Sequence, residues 1–408
     1  MTEWTEPAAD DPFGLHNLPL CATRDGWVGV RAGELILNLG AAEEAGLLDA
    51  GGAFTRAGTL NRFLATGRPT WTRVREQLTD LFTGLSTGTA GAPHRAAVEA
   101  MLHPVAGTAL ALPFEVADYV DFYSSEEHAK NLSRLFRPDS PSLLPNWKSL
   151  PIGYHGRAGT VVVSGTDVPR PHGQRKAPDE ERPSFGPSRR LDIEAELGFV
   201  VGAPSTGPVG VDDFRAHVYG AVLVNDWSAR DIQAWEYQPL GPFLGKSFAT
   251  SVSPWVVSLD ALEPARAAAP VQDPPVLDYL REAERYSYDI RFEVFWNGTL
   301  VSRPPYAGIY WTPAQQLAHL TANGAWARTG DLYASGTISG ATPEETGSFI
   351  ERTWNGAHPV RLDDGSTRSF LEDGDTVTIS AAARCAGGPA DGTMIGFGEV
   401  RGTVVTRV

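Results

Sequence analysis

The chain has 408 residues, room for two domains or one large one. Its 49 acidic residues against 34 Lys+Arg give a formal net charge of −15, which repels phosphate backbones and anionic lipid and argues against nucleic-acid or membrane-surface partners. Hydrophobic residues at 42% and charged residues at 20% are ordinary for a folded soluble chain, while 43 Gly and 31 Pro favour a β-rich fold with many turns and long loops.

The acidic start, Met1-Thr2-Glu3-Trp4-Thr5-Glu6, does not read as a secretory leader, and no apolar run is long enough to span a bilayer. Cys21 and Cys385 show no metal-ligand spacing and no disulfide framework, so the expected location is the cytoplasm. Trp27 to Val30 and Glu34 to Leu37 are short apolar runs around Arg31-Ala32-Gly33, which predicts a hairpin. A helical pattern over His94 to Leu102 is closed by Pro104. Residues 1–115 hold no acid/base constellation and read as a structural domain, with 116–408 as the catalytic one.

From Phe114 onward strands, glycines and polar clusters increase. Strands are predicted at Val161 to Val163, Leu191 to Val201, Tyr219 to Val224, Tyr286 to Phe295, Thr376 to Ile379 and Gly402 to Thr406. Helices are predicted at Ser125 to Phe136, Ala229 to Tyr237 and Thr312 to Thr321, and Arg170 to Ser188 reads as an exposed loop. The pattern is that of an α+β fold, mostly β.

Five segments could carry chemistry. Ser124 and Glu127 have capping-box spacing, which puts His128 in the first turns of a helix as a candidate base or a packed histidine. In Leu191 to Phe199, strand alternation puts Ile193, Ala195, Leu197 and Phe199 on one face and Asp192, Glu194 and Glu196 on the other. That acidic face suits either solvent or a hard divalent cation. Asp226 ends an apolar strand, and Arg230, Gln233 and Tyr237 follow on one helical face as donors for an anionic or carbonyl substrate. The simpler reading there is a cap and a surface ion pair. Gly245-Lys246-Ser247 lacks the spacing of a phosphate-binding loop, and leaves Lys246 as an oxyanion partner or a solubilising lysine. Gly330 to Gly340 is a small-residue strand and turn, with Glu351 shortly after.

Together these segments resemble the fumarylacetoacetate hydrolase family. The resemblance rests on Asp121-Phe122-Tyr123-Ser124-Ser125 with His128, Leu144-Pro145-Asn146-Trp147, Gly153-Tyr154-His155-Gly156-Arg157, Leu191 to Glu196, Asn225 to Gln233, Gly241 to Ser247 and Ser335 to Gly340, in the family's order. It implies a small N-terminal SH3-like barrel domain, a large C-terminal mixed β-roll or sandwich domain, and a homodimer. It implies that Asp121, Glu194, Glu196 and Asp226 hold a metal, Mg²⁺ or Ca²⁺ with Mn²⁺ as an alternative, and that Lys246 and Thr250 lie near a second cation. His128 matches the base and Glu351 the carboxylate that orients it, with Arg230, Gln233 and Lys246 around the reacting carbonyl. Tyr123, Arg137, Tyr154, Tyr237 and Thr337, again with Arg230 and Gln233, match substrate contacts. The implied reaction is hydrolysis of a β-diketone acid, 4-fumarylacetoacetate, in tyrosine and phenylalanine breakdown. Acylpyruvate hydrolysis, oxaloacetate decarboxylation and a non-enzymatic cation-binding module are the rival readings. The sequence departs from the family after Gly396-Phe397-Gly398-Glu399, where Val400-Arg401-Gly402-Thr403 replaces the usual Cys and Gly-Lys.

Overall fold

The computed structural model describes residues 3–139, 141–177, 179–387 and 391–407. Met1 and Thr2 of the acidic start, and Pro178 within the expected loop, lie outside the described residues.

The N-terminal part is a five-stranded, barrel-like sheet built on the expected hairpin. Its strands run in the order Leu102–Pro104, Leu35–Asn38, Val28–Ala32, Leu20–Thr23, Leu110–Ala111. The turn falls at Gly33-Glu34 rather than at Arg31 to Gly33, because Gly33 takes the left-handed φ of 59° that a tight hairpin requires. Arg31 stays in its strand, buried, with its guanidinium 3.5 Å from the Phe13 ring centre. The helix expected over His94 to Leu102 instead spans Ala92–Glu99, and Leu102–Pro104 is an edge strand, where a proline costs no ladder bond. A 20-residue helix, Arg68–Thr87, was not singled out from sequence; its buried stripe of Trp71, Val74, Leu78, Leu81, Phe82 and Leu85 has helical spacing.

The C-terminal part is organised by an eight-stranded mixed sheet. Its path is Gly153–His155, Tyr119–Phe122, Leu332–Ala334, Ala195–Val201, Val218–Asp226, Thr250–Val252, Val161–Val163, with Val257–Ser258 also pairing to Val218–Asp226. Every residue of Val218–Asp226 is buried, since both faces are covered. Val200, Val222, Val224 and Leu332 pack with the N-terminal part, where Trp71 meets Tyr219 edge-on at 5.4 Å. Leu197, Phe199, Ala221 and Leu223 face the other way, into the core shared with a five-stranded sheet. That second sheet runs Thr299–Ser302, Ile290–Trp296, Thr376–Arg384, Met394–Val405, Val168–Pro169. The divergent Val400 and Gly402 lie in it, and a side chain at Gly402 would come within 2.5 Å of Trp227.

Three further expectations are corrected. Arg170 to Ser188 is not a plain loop: His172–Arg175 and Ser184–Pro187 form a hairpin, seated where Gly173 meets Ile232. Leu191 to Val201 is not one continuous strand. It breaks at Ile193-Glu194 because its backbone changes partner: Ala195 N donates to Gly347 O at 2.9 Å, and Glu194 bridges to Ser348. Ser124 does not cap the His128 helix, Glu126–Phe136. Ser125 does, its hydroxyl accepting from His128 N, while Ser124 Oγ accepts from Gln316 Nε2 at 3.0 Å. Among the described residues, no helix is long and apolar enough to cross a membrane.

Candidate active site

Four carboxylates converge at one end of the large sheet. Asp121, Glu194, Glu196 and Asp226 each present an oxygen within 4.8 Å of the others, and all four side chains are buried. Strand geometry assembles them. Glu196 sits opposite Val224 on the neighbouring strand, two residues before Asp226, and Glu194, on the same face as Glu196, is held beside Asp226, whose N donates to Glu194 O at 3.1 Å. Asp121 comes from beyond the short Leu332–Ala334 strand, which ends before it could separate Asp121 from Glu196. Gly336 makes that ending possible: its φ is 74°, and a Cβ there would lie 2.0 Å from Phe122 O.

The donor set suits a hard dication. Asp121 Oδ1, both Glu196 oxygens and Asp226 Oδ1 are buried without a hydrogen-bond partner, which is costly unless a positive group faces them. All-oxygen donors select Mg²⁺, Ca²⁺ or Mn²⁺ over zinc. Burial, then the neighbouring acids, raise Asp121 and Glu196 well above the usual carboxylate range; Asp226 is raised by burial too. Glu194 goes the other way. Burial opposes its charge, but Lys246, Arg230 and His128 outweigh burial and hold its carboxyl far below the usual range.

Two cations are built into the cluster's edge. Lys246 Nζ donates to Glu194 and, at 2.7 Å, to Asp226 Oδ2. It is 4% exposed, so it is no solubilising lysine. Its loop is seated on the preceding helix, Arg230–Glu236: Ala229 N donates to Gly245 O, and a Cβ on Gly245 would lie 2.9 Å from Gln233 N. Arg230 Nη2 lies 2.7 Å from Glu194 Oε1, its Nη1 donates to Gln233 Oε1 at 3.2 Å, and its Nε donates to Asp192 Oδ2 at 2.8 Å.

Beside the acids stands a histidine–glutamate pair. His128 Nδ1 lies 2.7 Å from Glu351 Oε2, and His128 Nε2 lies 4.0 Å from Glu194 Oε1. Glu351 is caged: Asn131 donates to Oε1 at 3.0 Å, and Ser339 and Ser348 donate to Oε2 at 3.0 and 2.6 Å. Burial works against its charge, but His128, Ser348 and Asn131 hold it below the usual carboxylate range. An ionised Glu351 accepts the Nδ1 proton, which leaves Nε2 as the basic nitrogen facing the acids.

Most of the sequence-predicted residues meet here. Tyr123 packs edge-on against His128, ring centres 5.3 Å apart. Tyr154 donates to Asp226 Oδ2 at 3.3 Å. Thr250 pairs in register with Asp226, and Thr337 is buried with a free hydroxyl oxygen. Arg137 ends the His128 helix, half-buried, its charge acting on the Tyr123 hydroxyl. Tyr237 is more exposed than these. It lies just past the end of its helix, 38% exposed, and its hydroxyl accepts from Gln238 Nε2. The residues given no role from sequence were Asp192, Asn131, Ser339 and Ser348. Signals existed for three: Asp192 alternates with Glu194 and Glu196, Asn131 is one turn past His128, and Ser348 one turn before Glu351.

This layout has matches among known proteins. The family description "Fumarylacetoacetase N-terminal" fits residues 12–113, and "Fumarylacetoacetate (FAA) hydrolase C-terminal" fits residues 118–405. The chain belongs to the fumarylacetoacetate hydrolase family. Relatives named fumarylacetoacetase include those of Arabidopsis thaliana, 42% identical over 99% of this chain and 98% of theirs, and Caenorhabditis elegans, 44% over 98% and 96%. The Homo sapiens relative is 42% identical over 98% of this chain and 97% of its own. Two solved structures share the fold at low identity. A fumarylacetoacetate hydrolase from Exiguobacterium antarcticum has a TM-score of 0.55 and 15% identity, covering 96% of this chain and 100% of that one. A maleylpyruvate hydrolase from Sphingobium has 0.51 and 16%, with the same coverage. Their names differ in substrate, so the shared fold by itself does not fix one.

Proposed function

We propose that this protein is a fumarylacetoacetase, hydrolysing the carbon–carbon bond of 4-fumarylacetoacetate to fumarate and acetoacetate at the end of tyrosine and phenylalanine breakdown. The observation that carries the reading is the 4.0 Å between His128 Nε2 and Glu194 Oε1, which sets a polarised base at the rim of a carboxylate cluster. Relatives at 42–44% identity over nearly their whole length bear the same name.

Asp121, Glu194, Glu196 and Asp226 would hold the dication, Mg²⁺ or Ca²⁺ with Mn²⁺ as an alternative, against a residual charge that Arg230 and Lys246 reduce from four to two. When bound, such an ion supplies Lewis-acid polarisation of the substrate's carbonyl. His128 takes the proton of the attacking water at Nε2, and Glu351 steadies the resulting imidazolium from Nδ1. Water oxygen bonds to the carbonyl carbon of the fumaryl group, the bond from that carbon to the neighbouring CH₂ breaks, and its electron pair leaves as the acetoacetate enolate. The proton on His128 is then available to the enolate carbon. Lys246, Arg230 and Gln233 are the donors for the charge that develops on oxygen in both halves. Arg137 binds the far carboxylate by charge, and Tyr123, Tyr154 and Thr337 line the approach. Thr250 with Lys246 would flank a second cation.

The partner is a second copy of the chain. Leu240 and Phe243 in the Lys246 loop and Phe185 on the His172–Pro187 hairpin are exposed at 96%, 67% and 73%, large apolar side chains of the kind that subunit contacts cover. Cys21 and Cys385 are both buried and free, which supports residence in the reducing cytoplasm.

The test follows the ultraviolet absorbance of fumarylacetoacetate with wild type and His128→Ala, each with and without chelator. Wild type with Mg²⁺ consumes the substrate; His128→Ala is slower by about 10²–10⁴-fold, and chelator abolishes turnover. Turnover of an acylpyruvate or of oxaloacetate instead would reassign the substrate, and metal binding without any turnover would make the chain a cation-binding module.

A further inference from the structure

Asp192 belongs neither to the carboxylate cluster nor to the histidine–glutamate pair, yet it holds the arginine at the edge of the first and the helix that carries Glu351 of the second. Its side chain is fully buried and faces four donors. Oδ2 accepts from Arg230 Nε at 2.8 Å and Ile350 N at 3.1 Å. Oδ1 accepts from Phe349 N at 2.7 Å and Ile193 N at 2.8 Å.

Those partners matter for what they carry. Phe349 and Ile350 are the first two residues of the helix Phe349–Arg352, and Glu351 is the third. The residue in capping position, Ser348, makes no side-chain cap, because its hydroxyl donates to Glu351. Asp192 supplies the missing acceptor from a distant strand. Its other partner, Arg230, reaches from Asp192 to Glu194 Oε1 and Gln233. One carboxylate thus fixes both the start of the Glu351 helix and the angle of the Arg230 guanidinium.

We propose that Asp192 is a positioning residue that sets Arg230 and Glu351 in register with each other, so that the oxyanion donor and the acid orienting His128 are held as one unit. The proposal rests on the catalytic reading above for the roles of those two groups. It has a chemical signature. Asparagine keeps the shape but brings two N–H donors into a ring of four donors, leaving at least one donor facing another donor.

The experiment is a double-mutant cycle on the full-length protein with bound Mg²⁺ and fumarylacetoacetate as substrate. Asp192→Asn, Asp192→Glu, Arg230→Gln, Glu351→Gln and the two doubles carrying Asp192→Asn are compared for kcat, KM, metal stoichiometry and circular dichroism. Asp192→Asn is expected to lower kcat by about 30–300-fold, with KM within about threefold and metal stoichiometry unchanged. In the Arg230→Gln and Glu351→Gln backgrounds the same change costs less than about fivefold, because the coupled partner is already gone. Asp192→Glu, which keeps the charge, recovers part of the loss. The proposal is overturned if Asp192→Asn keeps wild-type kcat, if its cost is the same in all three backgrounds, or if neither Asp192 variant folds, which would assign the residue to stability alone. Absence of cleavage by wild type removes the catalytic reading and this proposal together; wild-type cleavage with an unimpaired Asp192→Asn removes only this one.

Discussion

Lys246 places its ammonium 2.7 Å from Asp226 Oδ2, so a side-chain cation occupies the margin of the same carboxylates that suit a metal. Burial disfavours that charge, but Asp226 and Glu194 more than compensate and keep the lysine protonated. On the proposed mechanism this one residue would compete with the dication for ligands and also serve as a donor in the reaction.

These two roles separate on substitution. Lys246→Met removes a positive charge from the cluster, so Mg²⁺ or Ca²⁺ should bind tighter by about tenfold, since about 1.4 kcal/mol of repulsion is lost. Turnover should fall by about 10²–10³-fold as a donor to developing oxyanion charge disappears. Calorimetric titration with the metal and substrate absorbance on the same preparation check both. Weaker metal binding would show that Lys246 organises the carboxylates rather than competing for them.

Metal dependence of stability should grow with pH. Asp121 and Glu196 hold their protons above the usual carboxylate range in the metal-free fold. A group with a raised folded-state pKa contributes stability below its unfolded pKa and loses it as pH rises through the folded value. The metal-free protein is therefore penalised on going from acid to neutral pH, and a bound dication removes the penalty while displacing protons. The gain in Tm on adding Mg²⁺ should be larger at about pH 8 than at about pH 5.5. Thermal melts across a pH series, with metal and with chelator, measure it; an equal gain at all pH values would contradict the assignment.

A second titration lies away from the site. Burial pushes Glu282 up to about 7, although Thr312 donates to it at 2.6 Å. By the same sign rule its stabilising contribution is intact below the usual carboxylate pKa and lost as pH rises through about 7. Glu282→Gln, a neutral mimic, should match wild type in acid and melt roughly 1–3 °C higher at about pH 8. Melting curves of the two proteins at both pH values decide it.

The sequence by itself determined the local features. Alternation along Leu191 to Phe199 separated the apolar set from Asp192, Glu194 and Glu196, and that division holds in the packed core. A hydrophobic run located Val218–Asp226, though its ends moved, while only the last part of Met394–Val405 was expected, at Gly402 to Thr406. Pattern and motif order also singled out His128, Lys246 and Asp226 before any geometry was known. Tertiary structure decided what local pattern cannot encode. The break at Ile193-Glu194 comes from a change of backbone partner to Gly347 and Ser348, far along the chain. The same long-range pairing let Asp192 hold Arg230 and the Glu351 helix, and gave Glu351 its cage of Asn131, Ser339 and Ser348. Tyr237 keeps the helical spacing, its N–H donating to Gln233 O at 3.0 Å, but at the C-cap its ring stands 38% exposed while Arg230 is buried. Periodicity reports which face of an element a side chain takes; only the closing of the sheets determines what stands opposite, because hydrogen-bond partners and charge partners are chosen across the fold rather than along the chain.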